Sequence, residues 1–371
     1  MIDVVIVGGG LAGCSLARQL ASRGHRVVLL EKQTYPAHKL CGEFLSTEAQ
    51  GLFERLGVGA EIQAAGPRPL RRTRLTGLQA STVTSALPGT ALGLSRYRLD
   101  SLLFDAARAA GVDAHDGVTV RSITGSLAEG FTVEAGGASW QARMAVAAHG
   151  KRSRLDRSLD RAFFRDQAPY VAFKAHFEGL DLDDWIELHA FPGGYCGMSH
   201  IEDGRLNACW ITTKEALRDA GGSPEAMWQG PLRANPHLAA RVDALERVSG
   251  SFLAISQISL AHKGCFEGDV CMVGDTAAMI APLCGDGMSM ALRCAEIATP
   301  WLHQYLTGAL STASLKTHYR RAWEAEFQTR LRLGRWLHRG FVHPRLATLA
   351  LYALRATPRL GQRLIRLTRG T

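Results

Sequence analysis

The first thirty residues alternate between short apolar runs and one stretch of helix-forming composition. Residues 3–7 and 26–31 are apolar runs rich in β-branched side chains, which is typical of buried parallel strands. Residues 11–22, between the two runs, have the composition of a helix. The order of strand, helix and strand predicts a parallel βαβ unit at the start of the chain.

The rest of the pattern changes character in the middle of the chain and predicts an α/β protein. Strand-like runs dominate residues 162–260, which suggests that a mixed β-sheet domain interrupts the first domain. The predicted strands are residues 118–123, 131–134, 142–149, 171–177, 185–191, 205–212, 251–259 and 269–273. The predicted helices are residues 46–56, 97–110, 224–233, 237–247 and 287–306, followed by a helical remainder.

A glycine-rich turn joins the first predicted strand to the first helix. Gly8, Gly10 and Gly13 fit G-x-G-x-x-G, in which the glycines allow a tight turn, close approach of a pyrophosphate and close helix packing. Glu31 ends the second strand, where a carboxylate accepts hydrogen bonds from ribose hydroxyls and repels a 2′-phosphate. The turn therefore predicts a site for FAD or NAD. The candidate binding residues of this segment are Gly8, Gly10, Leu11, Ala12, Gly13, Glu31 and Lys32.

A second glycine-rich segment lies about 260 residues later. Gly274 and Asp275 follow a predicted strand, and Pro282, Gly285, Gly287 and Met288 lead into the helix 287–306. The two segments together resemble the large FAD-dependent superfamily that includes aromatic hydroxylases, geranylgeranyl reductases and flavin-dependent halogenases. The resemblance covers roughly residues 1–310.

The resemblance implies that FAD is the bound nucleotide and assigns residues to its parts. Asp275 would bind the ribityl chain, and the turn ending at Gly287 would start a helix that points at the flavin ring. A helix N-terminus stabilises the negative charge of reduced flavin. Arg98 matches the arginine of the family that lies near the FAD phosphate and ribityl region.

Residues 35–46 resemble two branches of the superfamily at once. Lys39, Cys41 and Gly42 are similar to the Lys-x-Cys-Gly-Gly of geranylgeranyl reductases, whereas Gly42 and Glu43 are similar to the halogenase version. Cys41 and Glu43 are therefore candidate catalytic residues beside the flavin, and Cys41 and Gly42 are also candidate cofactor contacts. Tyr195, in a Gly-Gly-Tyr turn that partly matches the reductases, is the third catalytic candidate.

Two departures from the superfamily limit the functional prediction. His149 and Gly150 stand where many NAD(P)H-dependent hydroxylases have Asp-Gly, so either NAD(P)H or another external reductant is the expected electron donor. The Trp-x-Trp-x-Ile-Pro box of halogenases is absent. The expected activity is therefore monooxygenation or oxidation of a lipophilic small molecule, such as a polyketide or isoprenoid product. Alkene reduction, halogenation and non-catalytic prenyl binding remain the alternatives.

Charge is concentrated at the C-terminal end. The formal net charge is +9, yet residues 329–371 contain ten arginines and no lysine, aspartate or glutamate, so the rest of the chain is nearly neutral. Apolar stretches with interspersed arginine predict either amphipathic helices on an anionic membrane surface or a helical layer docked on the body. No nucleic-acid-binding module accompanies these arginines, and a nucleic-acid partner is not expected.

The cysteines and the N-terminus bear on compartment and domain organisation. The eight cysteines form no zinc-type spacing and no C-x-x-C pair, and no signal sequence precedes the first strand. We therefore expect a cytoplasmic protein without a metal site, with a peripheral membrane contact as an option. The predicted domains are an FAD-binding domain (1–70, 96–160 and 263–310), a substrate domain (71–95 and 161–262) and a basic helical region (311–371).

Overall fold

Two mixed sheets and a layer of C-terminal helices form the molecule. The computed structural model describes residues 1–79, 81–165 and 167–368. Positions 80 and 166 of the predicted substrate domain, and 369–371 of the predicted basic region, lie outside the described residues. The predicted α/β class, with a first sheet completed late in the chain, is confirmed.

Within the described residues, short strands and helices follow one another along the chain. The strands are β1 (Ile2–Val7), β2 (Val27–Leu30), β3 (Phe44–Leu45), β4 (Arg68–Thr76), β5 (Thr82–Gly93), β6 (Asp113–His115), β7 (Val120–Ser126), β8 (Gly130–Ala135), β9 (Ala138–Ala147), β10 (Tyr170–Glu178), β11 (Trp185–Phe191), β12 (Gly194–His200), β13 (Leu206–Thr213), β14 (Glu246–Arg247), β15 (Leu253–Ile258), β16 (Phe266–Glu267) and β17 (Val270–Met272). The helices are α1 (Leu11–Ala21), α2 (Ala49–Leu56), α3 (Gly59–Ala64), α4 (Arg96–Ala109), α5 (Arg154–Ser158), α6 (Lys214–Asp219), α7 (Pro224–Gln229), α8 (Pro236–Val242), α9 (Gly287–Leu306), α10 (Thr312–Val342), α11 (Pro344–Ala356) and α12 (Pro358–Leu367).

The first sheet is built around β1, which is parallel to β2 on one side and to β9 on the other. Val4, Val5 and Ile6 are fully buried, as expected for a strand covered on both faces. β17 adds to β9 in parallel orientation, giving the order β16-β17-β9-β1-β2-β6. This pairing brings the two glycine-rich segments to the same edge of the sheet.

The second sheet has the order β14-β10-β13-β12-β11-β4-β5-β3, with β15 also paired to β10. Side chains alternate between its faces with the period of a strand. On β10, Phe173 and Phe177 join an outer cluster under α7 and α8, whereas Ala172 belongs to an inner cluster that faces the first sheet. Lys174 and His176 follow Ala172 at two-residue spacing and so lie on the inner face.

Two elements of the second sheet differ from the prediction. The helix predicted at 237–247 ends at Val242, because Glu246 and Arg247 pair with β10 as β14. Tyr195, predicted in a turn, lies on β12, a strand whose glycine-rich composition gives little strand signal.

The C-terminal helices close the fold against both sheets. α9 packs on α1, α10 packs on α9 and reaches β12, and α11 and α12 contact β5. Gly334 of α10 lies against residues 280–284, where an added Cβ would be 3.1 Å from the Cys284 sulfur. The described helices include none with the length and apolar character needed to cross a bilayer.

Candidate active site

A cavity of about 570 Å³ lies between the two sheets. Its wall contains the turn after β1, the segment 38–44, the start of α9 and the inner face of the second sheet. Three predicted site residues, Gly13, Gly274 and Arg98, are not in the wall. The predicted residues that line it are Gly8, Gly10, Leu11, Ala12, Glu31, Lys32, Cys41, Gly42, Glu43, Tyr195, Asp275, Pro282, Gly285, Gly287 and Met288.

The turn after β1 leaves no room for side chains at two of its glycines. Gly8 has φ +114°, and an added Cβ would overlap the carbonyl oxygen of Ala148. A Cβ at Gly13 would overlap the carbonyl oxygen of Gly8, so Gly13 shapes the turn from outside the cavity. α1 then begins after Gly10 without a capping side chain, which leaves its first N–H groups for a ligand.

Glu31 places a carboxylate at the end of β2. Its Oε2 accepts from the backbone N–H of Gly9 at 2.7 Å, and its Oε1 accepts from the N–H of Gln33 at 3.0 Å. Lys39 lies 3.6 Å from Oε2 and 2.9 Å from Asp100. The carboxylate is thus held in one position at the cavity wall, as a ribose partner requires.

A second helix begins at the opposite part of the wall. Gly274 and Gly285 have φ of +61° and +66°, and an added Cβ at Gly274 would lie 2.8 Å from Ala12. α9 starts at Gly287 without a capping side chain. Asp286 turns away and accepts from Ser46 at 2.8 Å, and burial, followed by the neighbouring Glu48, raises the pKa of Asp286 to about 8.

Arginine enters the cavity wall at position 96 rather than at position 98. Arg96 lines the cavity and forms a bidentate pair with Asp100 at 2.6 and 2.8 Å. Burial would raise the pKa of Asp100, but Arg96 and then Lys39 outweigh it and hold this pKa below its usual range. Arg98 points outward, with a 42% exposed side chain that contacts Asp203 and the carbonyl oxygen of Ala65. The predicted role of Arg98 stays a prediction.

The two arginines can be separated by FAD affinity. We expect Arg96→Leu to raise the FAD dissociation constant about tenfold or more, since a charge-assisted contact at the cavity is lost. Arg98→Leu removes an ion pair with Asp203 and a hydrogen bond to the Ala65 carbonyl oxygen, both outside the cavity wall, so the FAD dissociation constant should stay within about threefold of that of the unmodified protein. Fluorescence titration of each apoprotein variant with FAD measures the two dissociation constants. The opposite ranking would support the assignment made from the sequence.

Glu43 is the centre of a buried charge network. Its carboxylate is fully buried, 2.5 Å from Lys174 Nζ and 2.6 Å from His176 Nε2, and it accepts from the N–H of Arg96 at 2.8 Å. Burial would raise the pKa of Glu43, but Lys174 and then His176 outweigh it and keep this pKa below its ordinary value. Glu43 thus fixes segment 38–44 to the inner face of β10.

Tyr195 and His338 form a hydrogen-bonded pair at the substrate-sheet side of the cavity. The Tyr195 hydroxyl lies 3.2 Å from His338 Nδ1. Burial, followed by the charge of Arg339, lowers the pKa of His338 to about 4, and burial raises the pKa of Tyr195 well above its usual range. Both side chains are therefore neutral near pH 7, and His338, a weak base with so low a pKa, interacts with the Tyr195 hydroxyl through a hydrogen bond and not as an ion pair.

Two cysteines also line the cavity. Cys41 is half-buried, and its carbonyl oxygen accepts from the Asn207 amide at 3.2 Å. Cys209 faces the same space from β13, and burial raises its pKa to about 12. Cys209 is therefore a thiol, not a thiolate, near neutral pH.

The loop after β9 carries His149 in the cavity wall. Its Nε2 lies 2.9 Å from Asp156 Oδ1, and burial lowers the pKa of His149 despite this partner. Gly150 has φ +86° and donates its N–H to Thr276. The loop therefore presents a neutral imidazole where the hydroxylases that it resembles have a carboxylate.

Sequence reasoning missed four polar residues of the site. Arg96 precedes the arginine chosen from the family pattern, and Ser95, which caps α4, was the local signal for a helix beginning there. Lys174 and His176 alternate with apolar residues on β10, a pattern that indicated a polar patch on one strand face. His338 lies in the basic C-terminal helix, and nothing in the sequence connects it to Tyr195.

The residues present fit FAD. Two helices begin at the cavity without capping side chains, which suits the pyrophosphate at α1 and the charged part of the flavin at α9. An added Cβ at Gly10, Gly42 or Gly287 would meet nothing within 3.5 Å, so a ligand can approach the backbone at all three. Glu31 supplies the acceptor for a ribose.

Comparison with known proteins agrees with this fit. A family model described as an FAD binding domain matches residues 1–326. Menaquinone reductase of Mycobacterium tuberculosis is 25% identical over 81% of this chain and 76% of its own length. Digeranylgeranylglycerophospholipid reductase 1 of Methanopyrus kandleri is 25% identical over 88% of this chain and 87% of its own length.

Solved structures of flavin-dependent enzymes share the fold. The flavin-dependent brominase Bmp2 superposes with a TM-score of 0.82 at 20% identity, covering 99% of this chain and 93% of its own. The myxobacterial chondrochloren halogenase CndH superposes with a TM-score of 0.80 at 22% identity, covering 92% of this chain and 83% of its own. Because the family model spans most of the sequence, the chain belongs to the FAD binding domain family and is an FAD-dependent oxidoreductase.

Proposed function

We propose that the protein is a monooxygenase that hydroxylates a lipophilic small molecule bearing a phenolic hydroxyl group. The observation that carries this proposal is the Tyr195–His338 pair at the cavity wall. A neutral, hydrogen-bonded pair at the cavity wall can bind a substrate phenol through its hydroxyl group and orient the electron-rich ring toward an electrophilic oxygen.

The substrate side of the cavity supports a lipophilic molecule. The inner face of the second sheet and the loop before α9 contribute mainly aliphatic side chains, which exclude water and favour an apolar ligand. Thr73, Ser199 and Cys209 add uncharged polar groups. The aliphatic lining residues of these two parts include Ala172, Ile186, Leu188, Ile211, Leu253, Ile255, Ile258, Met279 and Leu283.

The residues of the chain divide the remaining tasks. Bound FAD, once reduced, supplies electrons to O₂ for the oxygen transfer. Gly10 and the start of α1 would hold its pyrophosphate, Glu31 its ribose, and Asp275 and the start of α9 its flavin end. FAD must be reduced by an external donor. Because His149 stands where many hydroxylases have a carboxylate associated with NAD(P)H handling, the proposal includes either NAD(P)H or another reductant as this donor.

Alkene reduction is the second candidate, and Cys41 is the observation that favours it. Its thiol lines the cavity in a Lys-x-Cys-Gly segment similar to that of geranylgeranyl reductases, where it could supply a proton. The menaquinone and digeranylgeranyl lipid reductases are relatives with prenyl-bearing substrates in their names. Against this, the Tyr195–His338 pair is neutral near pH 7 and holds no acidic group that could protonate an alkene.

Isotope labelling distinguishes the two candidates. With ¹⁸O₂, FAD, a reductant and a panel of alkylphenols, hydroxylation places one labelled oxygen in the product and the other in water. No product should form without oxygen. If the photoreduced protein instead saturates a C=C bond under anaerobic conditions and yields no labelled product in air, the proposal is wrong and the second candidate takes its place.

The tyrosine pair gives the residue-level prediction. We expect Tyr195→Phe to lower the hydroxylation rate about a hundredfold, because the hydrogen bond that orients the substrate phenol is lost, while the FAD content stays unchanged. Tyr170→Phe is the matched control, since the Tyr170 ring also contacts His338 but does not line the cavity. Equal turnover of the two variants would remove the substrate-positioning role of Tyr195.

A further inference from the structure

The C-terminal helices expose a set of apolar and arginine side chains, which we call the tail face. It comprises Arg332, Trp336 and Arg339 of α10, and Arg345, Leu346, Leu349 and Tyr352 of α11. Trp336 is 70% exposed, Leu349 64%, Leu346 50% and Tyr352 49%. Among the side chains whose burial the structure describes, which leaves out residues 80, 166, 358–360, 365–366 and 369–371, seven large apolar ones are exposed, and five of these lie in α10–α12. Exposed apolar groups are thus concentrated in one part of the chain.

Helix geometry aligns these side chains in two stripes. Arg332, Trp336 and Arg339 are spaced i, i+4 and i+7, so they share one face of α10. Arg345, Leu349 and Tyr352 repeat the same spacing on α11. Each stripe therefore combines apolar surface with flanking cations, as do helices that lie in a membrane interface.

The arginines of these stripes have no carboxylate partners. In the described part of the chain, no Asp or Glu oxygen lies within 4 Å of the guanidinium of Arg332, Arg339 or Arg345. Arg330, two residues before Arg332, differs because its side chain points inward to Glu326, Asp286 and Glu48. Burial, followed by the charges of Arg339 and Arg332, lowers the pKa of Arg335, which shows how closely the cations crowd. The positive field is therefore uncompensated from within the protein.

The inner side of the same helices touches the cavity region. Phe341 and Val342 pack with Tyr195 and Met279, both of which line the cavity. Because an α-helix with its side chains is about 10–12 Å across, one layer of helix separates the tail face from the cavity wall.

We infer that the tail face docks on an anionic lipid surface and places the cavity next to the membrane. An anionic bilayer stabilises both the arginines and the exposed apolar side chains. Its headgroups attract the arginines, and Trp336, Leu346 and Leu349 insert at the boundary of the acyl chains. A second copy in a symmetric dimer would bring uncompensated arginines against arginines. The inference relies on the proposed function only for the lipophilic nature of the substrate.

Vesicle co-sedimentation tests the inference with the full-length, FAD-loaded protein. We expect binding to vesicles of phosphatidylcholine with phosphatidylglycerol, weakening with salt, and little binding to phosphatidylcholine alone. The double variant Trp336→Glu/Leu349→Glu should bind the anionic vesicles at least about tenfold more weakly. Arg23→Glu is the matched control for added negative charge. Arg23 lies in the turn after α1, beside His25, which contacts His303 in the last turn of α9, and it is not part of the tail face.

The outcomes separate this inference from the proposed function. Equal vesicle binding by the double variant and the unmodified protein, or no binding at all, overturns the docking. Tighter binding to a DNA duplex than to anionic vesicles, or a concentration-dependent dimer that the double variant abolishes, also overturns it. Retained FAD and unchanged turnover of a detergent-solubilised substrate in the double variant would show that docking, not chemistry, was altered.

Discussion

Gly8→Ala should yield a protein that has lost FAD binding, with a dissociation constant raised at least about a hundredfold. The new Cβ would overlap the Ala148 carbonyl oxygen, which belongs to the loop that follows β9. Either β1 and β9 must separate or the turn must open, and both movements displace the first turn of α1 from the pyrophosphate. The visible absorbance of the purified protein and titration with FAD measure the loss.

Gly111→Ala is the control that separates overlap from backbone strain. Gly111 also has a positive φ, +89°, but an added Cβ there meets nothing within 4 Å. We expect this variant to lose about 1–2 kcal/mol of unfolding free energy and to keep its FAD. If both variants bind FAD equally, close packing around Gly8 is not what shapes the site.

Glu43→Gln should destabilise the protein by about 3–5 kcal/mol, because it leaves the buried Lys174 ammonium without its counter-ion. Lys174 is fully buried and its ammonium loses a charged partner at 2.5 Å. Urea unfolding in excess FAD gives the free-energy change. The control is Glu178→Gln, at the exposed end of β10, the strand that carries Lys174. It should change the unfolding free energy by less than about 0.5 kcal/mol.

A second substitution tests the cause. Adding Lys174→Met to Glu43→Gln removes the unpaired cation, so the double variant should recover at least about 1 kcal/mol. No recovery would mean that the loss of stability comes from the changed shape of the side chain and not from the unpaired charge.

The pH dependence of the unfolding free energy provides a further check. Since the folded-state pKa of Glu43 lies below its ordinary value near 4.5, its contribution is present above that pH and is lost as pH falls below it. The loss of unfolding free energy at acid pH should therefore be smaller in Glu43→Gln than in the unmodified protein.

The backbone features of the site were predictable because they depend on local geometry. Gly8 and Gly13 are set by steric limits within one turn, and the apolar strands on either side are legible from composition alone. The late return of the chain to the first sheet was also predictable, since the segment around Gly274 repeats the requirement for close backbone approach. These features follow from residues that are close in sequence or carry a strong pattern.

The side-chain partners were not predictable, because they come from pairings distant in sequence. Glu43 meets Lys174 and His176 only when segment 38–44 lies over β10, and Tyr195 meets His338 only when α10 crosses the second sheet. Arg96 and Arg98 differ by a rotation of about 200° around α4, which sequence alone does not orient toward the cavity. The family pattern favoured one arginine, and the helix orientation placed the other in the wall.

The position of β9 beside β1 has a consequence for the synthesis of the chain. β1 and β2 leave the ribosome early, whereas β9, the strand that covers the other edge of β1, follows more than 130 residues later. At about 5–20 residues per second, that edge waits roughly 7–27 s for its partner. β17 arrives later still, so a nascent chain exposes an apolar strand edge during most of its elongation. Ribosome-associated chaperones are the class of factor suited to shield it.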